Sequence, residues 1–167
     1  MSIDFDFSGV SLNESPAEEG IYPVEIEYVD GYVTKTGNKR VTFKAKVCEG
    51  ESKGCVIKDG INLPTMKSQG VKKVWLGFFR SLGMSPAEVA DVFGGMSGKG
   101  DENAEYYAEC IGKVVVGLKG YCYYAPAVEE GGWPTRNWLT PQQARAQAKT
   151  RAKAGGSDDA LGDFINV

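Results

Sequence analysis

The chain reads as a mainly β domain with added helices, a small five-stranded barrel, and three observations carry that reading. Apolar and polar residues alternate between Ile21 and Leu63, the spacing turns helical between Val71 and Leu82, and alternation returns after Lys113. The 167 residues suffice for one domain with tails, and a 42% apolar content can build a core. Four segments are expected: an N-terminal arm over 1–19, the barrel domain over 20–140, a helix over 141–156 and a disordered acidic tail over 157–167.

The first strand starts at Ile21. Tyr22, Val24, Ile26 and Tyr28 share one face and Glu25 and Glu27 the other, as in a half-buried strand. Gly31 is a candidate bulge, and Thr36-Gly37-Asn38 a turn. In the second strand Val41, Phe43, Ala45 and Val47 face inward, and Thr42, Lys44 and Lys46 outward. A third runs from about Cys55 to Leu63, with Ile57, Ile61 and Leu63 opposed to Lys58 and Asn62, which completes a meander.

Val71, Val74, Trp75, Phe78 and Leu82 then recur at helical spacing, and Gly83 stops that helix. Ser85-Pro86-Ala87-Glu88 is a capping box with proline at the first helical position, which opens a short second helix. Gly94 to Gly100 reads as a flexible loop, and Ala104 to Cys110 as one more helical turn. Val114, Val116 and Leu118 are expected to face inward on a fourth strand that Gly120 kinks before Tyr121 and Tyr123. Trp133 to Leu139 supplies a fifth strand. Thr140-Pro141-Gln142-Gln143 is a second capping box, opening an alanine-rich helix. Three strands, a helix and two strands is the element order of an OB-fold, a five-stranded Greek-key barrel with its helix between strands three and four.

Composition narrows the chemistry. The chain has no histidine, the commonest general acid–base, and its four cysteines lack the paired spacing of a zinc site. Gly94 to Gly100 lacks the spacing and the hydroxyl of a phosphate-binding loop. Glu25 with Glu27, and Glu129 with Glu130, are carboxylate pairs without a third acidic cluster to complete a metal site. No enzyme, metal or cofactor is expected. No apolar run could cross a bilayer, and acids stand at the N-terminus where a signal peptide carries bases, so the cytoplasm is the expected compartment.

The net charge is −3, with acids at both ends and bases concentrated between Lys35 and Arg80. That distribution suits a cationic groove for a nucleic acid. Single-strand binding needs cations along the phosphates and aromatic faces for the bases. The outward positions supply Lys44, Lys46 and Lys58, and the first loop Lys35, Lys39 and Arg40. Tyr32, Tyr121, Tyr123 and Trp133 are the stacking candidates, and Arg136 can pair a phosphate or a carboxylate. Lysines that merely solubilise an exposed sheet face, and tyrosines that brace a hairpin, are the plainer alternatives.

Several stretches also resemble a bacteriophage family of replication and recombination modules. They are Ile3-Asp4-Phe5-Asp6-Phe7-Ser8-Gly9, Gly20-Ile21-Tyr22-Pro23-Val24-Glu25-Ile26, Trp75-Leu76-Gly77-Phe78-Phe79-Arg80-Ser81-Leu82-Gly83 and Ile111-Gly112-Lys113-Val114. The resemblance covers about residues 1 to 140 and implies an OB-fold protein that coats single-stranded DNA with little sequence preference, in the host-cell cytoplasm. The tail is similar to the acidic tip with which bacterial single-stranded DNA-binding proteins recruit replication and repair partners, although Phe164 is not terminal here. That similarity implies partner contacts through Asp158, Asp159, Asp163 and Phe164. A homo-oligomer is left open. The rival reading is a protein-interaction module, such as a recombination mediator or host-factor inhibitor.

Overall fold

The computed structural model describes Ile3 and residues 14–64, 69–96 and 103–155. The acidic tail, with Asp158, Asp159, Asp163 and Phe164, and most of the N-terminal arm lie outside the described residues. So does the Ser97–Gly100 part of the glycine-rich loop.

The strand β1 (Gly20–Val33) is the spine of the sheet. It pairs along most of its length with β2 (Lys39–Val47) and, over Gly20–Glu25, with β4 (Lys119–Ala125). β3 (Val56–Asn62) adds to β2, and β5 (Thr135–Leu139) adds to β4. Among the described residues the result is a five-stranded antiparallel half-barrel sheet in the order β3-β2-β1-β4-β5, accompanied by four helices.

The inward phases of β2 and β3 follow the alternation of the sequence: Val41, Phe43, Ala45, Val47, Ile57 and Ile61 are all buried. β1 departs from it. The register slips between Ile26 and Tyr28, a bulge at Glu27 that shifts the strand by one residue. Val24 and Ile26 are buried, but Tyr28 is turned to the outer face, correcting its assignment to the core. After the slip the odd positions Val29 and Gly31 point inward.

Gly31 is one of these inward positions, and not the bulge itself. A Cβ there would collide with the Ala104 carbonyl, so glycine lets the helix α3 (Ala104–Val115) lie directly on β1. This helix replaces the start of the expected fourth strand. Ala104, Ala108, Ile111 and Val115 are buried at i, i+4, i+7 and i+11, whereas Val114 and Val116 are exposed. The helical burial stripe thus overrides the strand preference of consecutive valines. Gly120 does not kink a long strand, since β4 begins only at Lys119; it admits the Ser81 carbonyl of α1 (Gln69–Ser81).

Both capping boxes form. Ser85 and Glu88 exchange bonds at the start of α2 (Pro86–Met96), and Thr140 and Gln143 at the start of α4 (Pro141–Gly155). Three helices, rather than one principal helix, therefore separate β3 from β4.

The core lies between the inner sheet face and the helices α1 and α3. Phe43 stacks on Phe78 with centroids 4.3 Å apart, and meets the edge of Trp75 at 5.9 Å. Trp75 donates its indole N–H to the Asn62 carbonyl at 2.8 Å, so its burial strands no donor. Each such ring contributes roughly 1.5–3 kcal/mol by leaving water. Surface ion pairs contribute about 0–1. The aromatic cluster therefore holds the fold, and the outer face is left for other work.

Candidate nucleic-acid interface

Cross-strand register builds the outer face of β1, β2 and β3 as rows. Tyr28 stands opposite Lys44, and Lys44 opposite Lys58. The next row joins Asp30, Thr42 and Gly60, and the third Tyr32, Arg40 and Asn62. Neighbours in a row are directly opposed, at the spacing where facing side chains can interact. Lys44 Nζ lies 5.4 Å from the centre of the Tyr28 ring, a cation–π distance. The Arg40 guanidinium donates to the Gly60 carbonyl at 2.8 Å and to Asn62 Oδ1 at 3.0 Å. It lies flat over Gly60, where any side chain would meet it at 2.7 Å.

β5 closes one side of this face without a backbone ladder to β3. Arg136 Nη1 donates to the Lys58 carbonyl at 2.7 Å, and its Nε sits 3.5 Å from Asp59 Oδ1. Asp59 Oδ2 accepts the indole N–H of Trp138 at 2.7 Å, and Asp59 Oδ1 the N–H of Gly60 at 2.7 Å. One carboxylate thus ties two β5 side chains to β3. Just beyond, in the β4–β5 connection, Trp133 is 85% exposed. An indole held out in water at that level is available for stacking.

These rows, Trp133 and the β1–β2 loop enclose a groove of about 1110 Å³. Thr34, Thr36 and Asn38 make its polar end, joined through the Thr34 and Thr36 hydroxyls, 3.0 Å apart. Four cations line the groove, Arg40, Lys44, Lys58 and Arg136, against three carboxylates, Glu27, Asp30 and Asp59. Asp59 is matched by Arg136, and among the described residues Lys44 and Lys58 form no ion pair. The groove can therefore offer two ammonium groups outside any described ion pair, that of Lys44 lying over Tyr28, one anchored guanidinium and the exposed rings of Tyr28, Tyr32 and Trp133.

Of the residues singled out from the sequence, Tyr32, Arg40, Lys44, Lys58, Trp133 and Arg136 converge here. Arg136 takes the carboxylate option of the two open to it. Lys46 shares the outer face of β2 but stands beyond the groove, opposite Glu25 and Val56. Lys35 is exposed in the β1–β2 loop outside the lining. Lys39 points to the helix side, with Nζ 5.9 Å from the Tyr107 ring of α3.

Tyr121 and Tyr123 lie elsewhere, against the small cluster of Ile21, Leu139, Ala144 and Ala148 that seats α4. Arg151 stacks over the Tyr123 ring at 4.2 Å, and Glu19 accepts from both the Tyr123 hydroxyl (2.6 Å) and Arg151 (2.7 Å). Those two bonds, Tyr123 foremost, hold the Glu19 carboxyl below its usual range. This is the bracing role that tyrosines on a hairpin ordinarily fill.

Sequence reasoning missed Tyr28, Asp30, Thr42 and Asn62. The signal for Tyr28 was the phase of Val29 and Gly31, which is opposite to that of Val24 and Ile26 and implies a one-residue slip between them.

Among the described residues, no group of three or more metal-ligating side chains could hold an ion, and no helix is long and apolar enough to cross a membrane. Cys122, on β4, is buried, and desolvation, reinforced by nearby Asp59, pushes its thiol far up and out of reactive range. Neither protein-family models nor curated proteins match the chain.

Proposed function

We propose that this protein binds single-stranded DNA, with little sequence preference, in the groove on the outer face of β1, β2 and β3. The observation that carries the reading is the row Tyr28–Lys44–Lys58, with Tyr32 and Arg40 two rows further along the strands and Trp133 lining the same groove. Bases stack on Tyr28, Tyr32 and Trp133, and phosphates are drawn to Lys44, Lys58 and Arg40. Each stacked base contributes about 1–3 kcal/mol, and released counterions make the affinity fall with salt.

An OB-type Greek-key barrel is the fold we assign to this arrangement. β1 shared between β2 and β4, and the Arg136 and Trp138 bonds from β5 to β3, support that closure. In an OB-fold, oligonucleotides lie on strands two and three between the loops that join strands 1–2 and 4–5, the position of this groove. The resemblance to phage replication and recombination proteins adds the setting: a binding protein, not an enzyme, in the host cytoplasm, with the acidic tail turned to partner proteins.

The second reading is a protein-interaction module, favoured by the carboxylates Glu27 and Asp30 inside the groove and by the net charge of −3. A fluorescence titration separates the two. A mixed-sequence single strand should quench Trp133 and bind more tightly than the matching duplex, and its affinity should fall as salt rises. Trp133→Ala should remove the quench and cost about 1–3 kcal/mol of binding. Indifference to single strands in dilute buffer would leave the interaction module standing.

A further inference from the structure

We infer that the groove favours bases carrying an exocyclic amino group, cytosine over thymine among the pyrimidines, and that Asp30 makes the distinction. The inference rests on the single-strand reading and deepens it.

Tyr28, Asp30 and Tyr32 are alternate residues of β1 and present their side chains to the same groove. At about 3.3 Å per residue, Asp30 stands roughly 6.6 Å along the strand from each tyrosine. A base stacked on either ring therefore turns its edge towards the carboxylate. Asp30 is held in place, because its Oδ1 accepts the N–H of Gly31 at 2.8 Å. A carboxylate has about four acceptor sites, so the rest face the groove.

Among the described residues Asp30 has no ion pair, and its cross-strand neighbour is the neutral Thr42. The Arg40 guanidinium of the next row is turned to Gly60 and Asn62 on β3. A bare carboxylate repels the phosphates of any strand in this groove, and only a donor on the base edge offsets that repulsion. Cytosine offers its N4 amino group, the partner that Asp and Glu accept from in base readout. Thymine offers a single ring N–H between two carbonyl oxygens, which the carboxylate disfavours. The two rings are of similar size, so stacking alone does not separate them.

The test uses the full chain with oligo-dC and oligo-dT of equal length, at low salt and mildly alkaline pH, where cytosine is uncharged. The wild type should bind oligo-dC at least about fivefold more tightly, the lower end of one such contact. Asp30→Asn keeps an acceptor for Gly31 and gains an amino donor that suits thymine, so the ratio should fall close to unity as oligo-dT binding tightens. Glu27→Gln removes the same charge outside the tyrosine pair, and should tighten both strands alike with the ratio kept. Equal binding by the wild type, or a ratio that Asp30→Asn leaves unmoved, overturns the inference while single-strand binding stands. A wild type that binds neither strand overturns the single-strand reading beneath it.

Discussion

Trp138 donates its indole N–H to Asp59 at 2.7 Å, across a gap between β5 and β3 that no backbone ladder spans. The same carboxylate faces Arg136, whose side chain is 19% exposed, and this small network decides whether the groove has a second wall. Removing one partner of a buried charged pair leaves the other uncompensated, which costs more than the pair itself contributes. Asp59→Ala should therefore destabilise the protein by about 2–4 kcal/mol in urea unfolding. Trp138→Phe keeps the ring against Phe78 and loses one bond, so its cost should stay near 1–1.5 kcal/mol.

Lys44 and Lys58 are directly opposed, exposed or half-exposed, and free of ion pairs among the described residues. Replacing both with alanine should leave the melting temperature nearly unchanged. The slope of log affinity for a single strand against log salt should shallow by about 0.7 for each phosphate that is no longer neutralised. An unchanged slope would place the phosphates elsewhere.

Gly31 is the point at which α3 touches the sheet. Gly31→Ala forces the new methyl group into the Ala104 carbonyl, a backbone group with no flexible side chain to yield. A loss of about 1–3 kcal/mol is expected in thermal unfolding, the usual cost of overpacking. Gly37→Ala is a useful contrast: its Cβ would meet nothing, and only its positive φ resists the change.

The pH dependence of α4 docking has a definite sign. The Glu19 carboxyl titrates lower in the fold than in the unfolded chain, because Tyr123 and Arg151 both donate to it. Its contribution is therefore fully present above the ordinary glutamate range and fades as pH falls through the lowered folded value. Glu19→Gln should remove that acid-side dependence, read as hydrogen exchange in Pro141–Gly155 across the acid range. A profile identical to the wild type would mean that α4 is held without Glu19, by the cluster around Ala144 and Ala148 and by Arg151 on Tyr123.

Local patterns in the sequence were enough to place most strands, both capping boxes and the inward and outward faces of β2 and β3. Each of these is decided by neighbours within a few residues, through the period of the chain or a cap that reaches its own turn. Lys44 and Lys58 could thus be assigned to the outer face from alternation alone.

Interactions between distant residues decided the rest. The slip at Glu27 moved Tyr28 out of the core and beside Lys44, and only the pairing of β1 with β2 reveals it directly. Ala104 to Val115 became a helix because β1 offered Gly31 as a seat for its small buried face, against the strand preference of its valines. Tyr121 and Tyr123 were drawn to α4, and Arg136 to Asp59, a residue far away in the chain. Periodicity shows which side of an element is apolar. What meets the other side depends on which elements the fold brings together, and that is settled by burial and charge pairing over distances no local pattern spans.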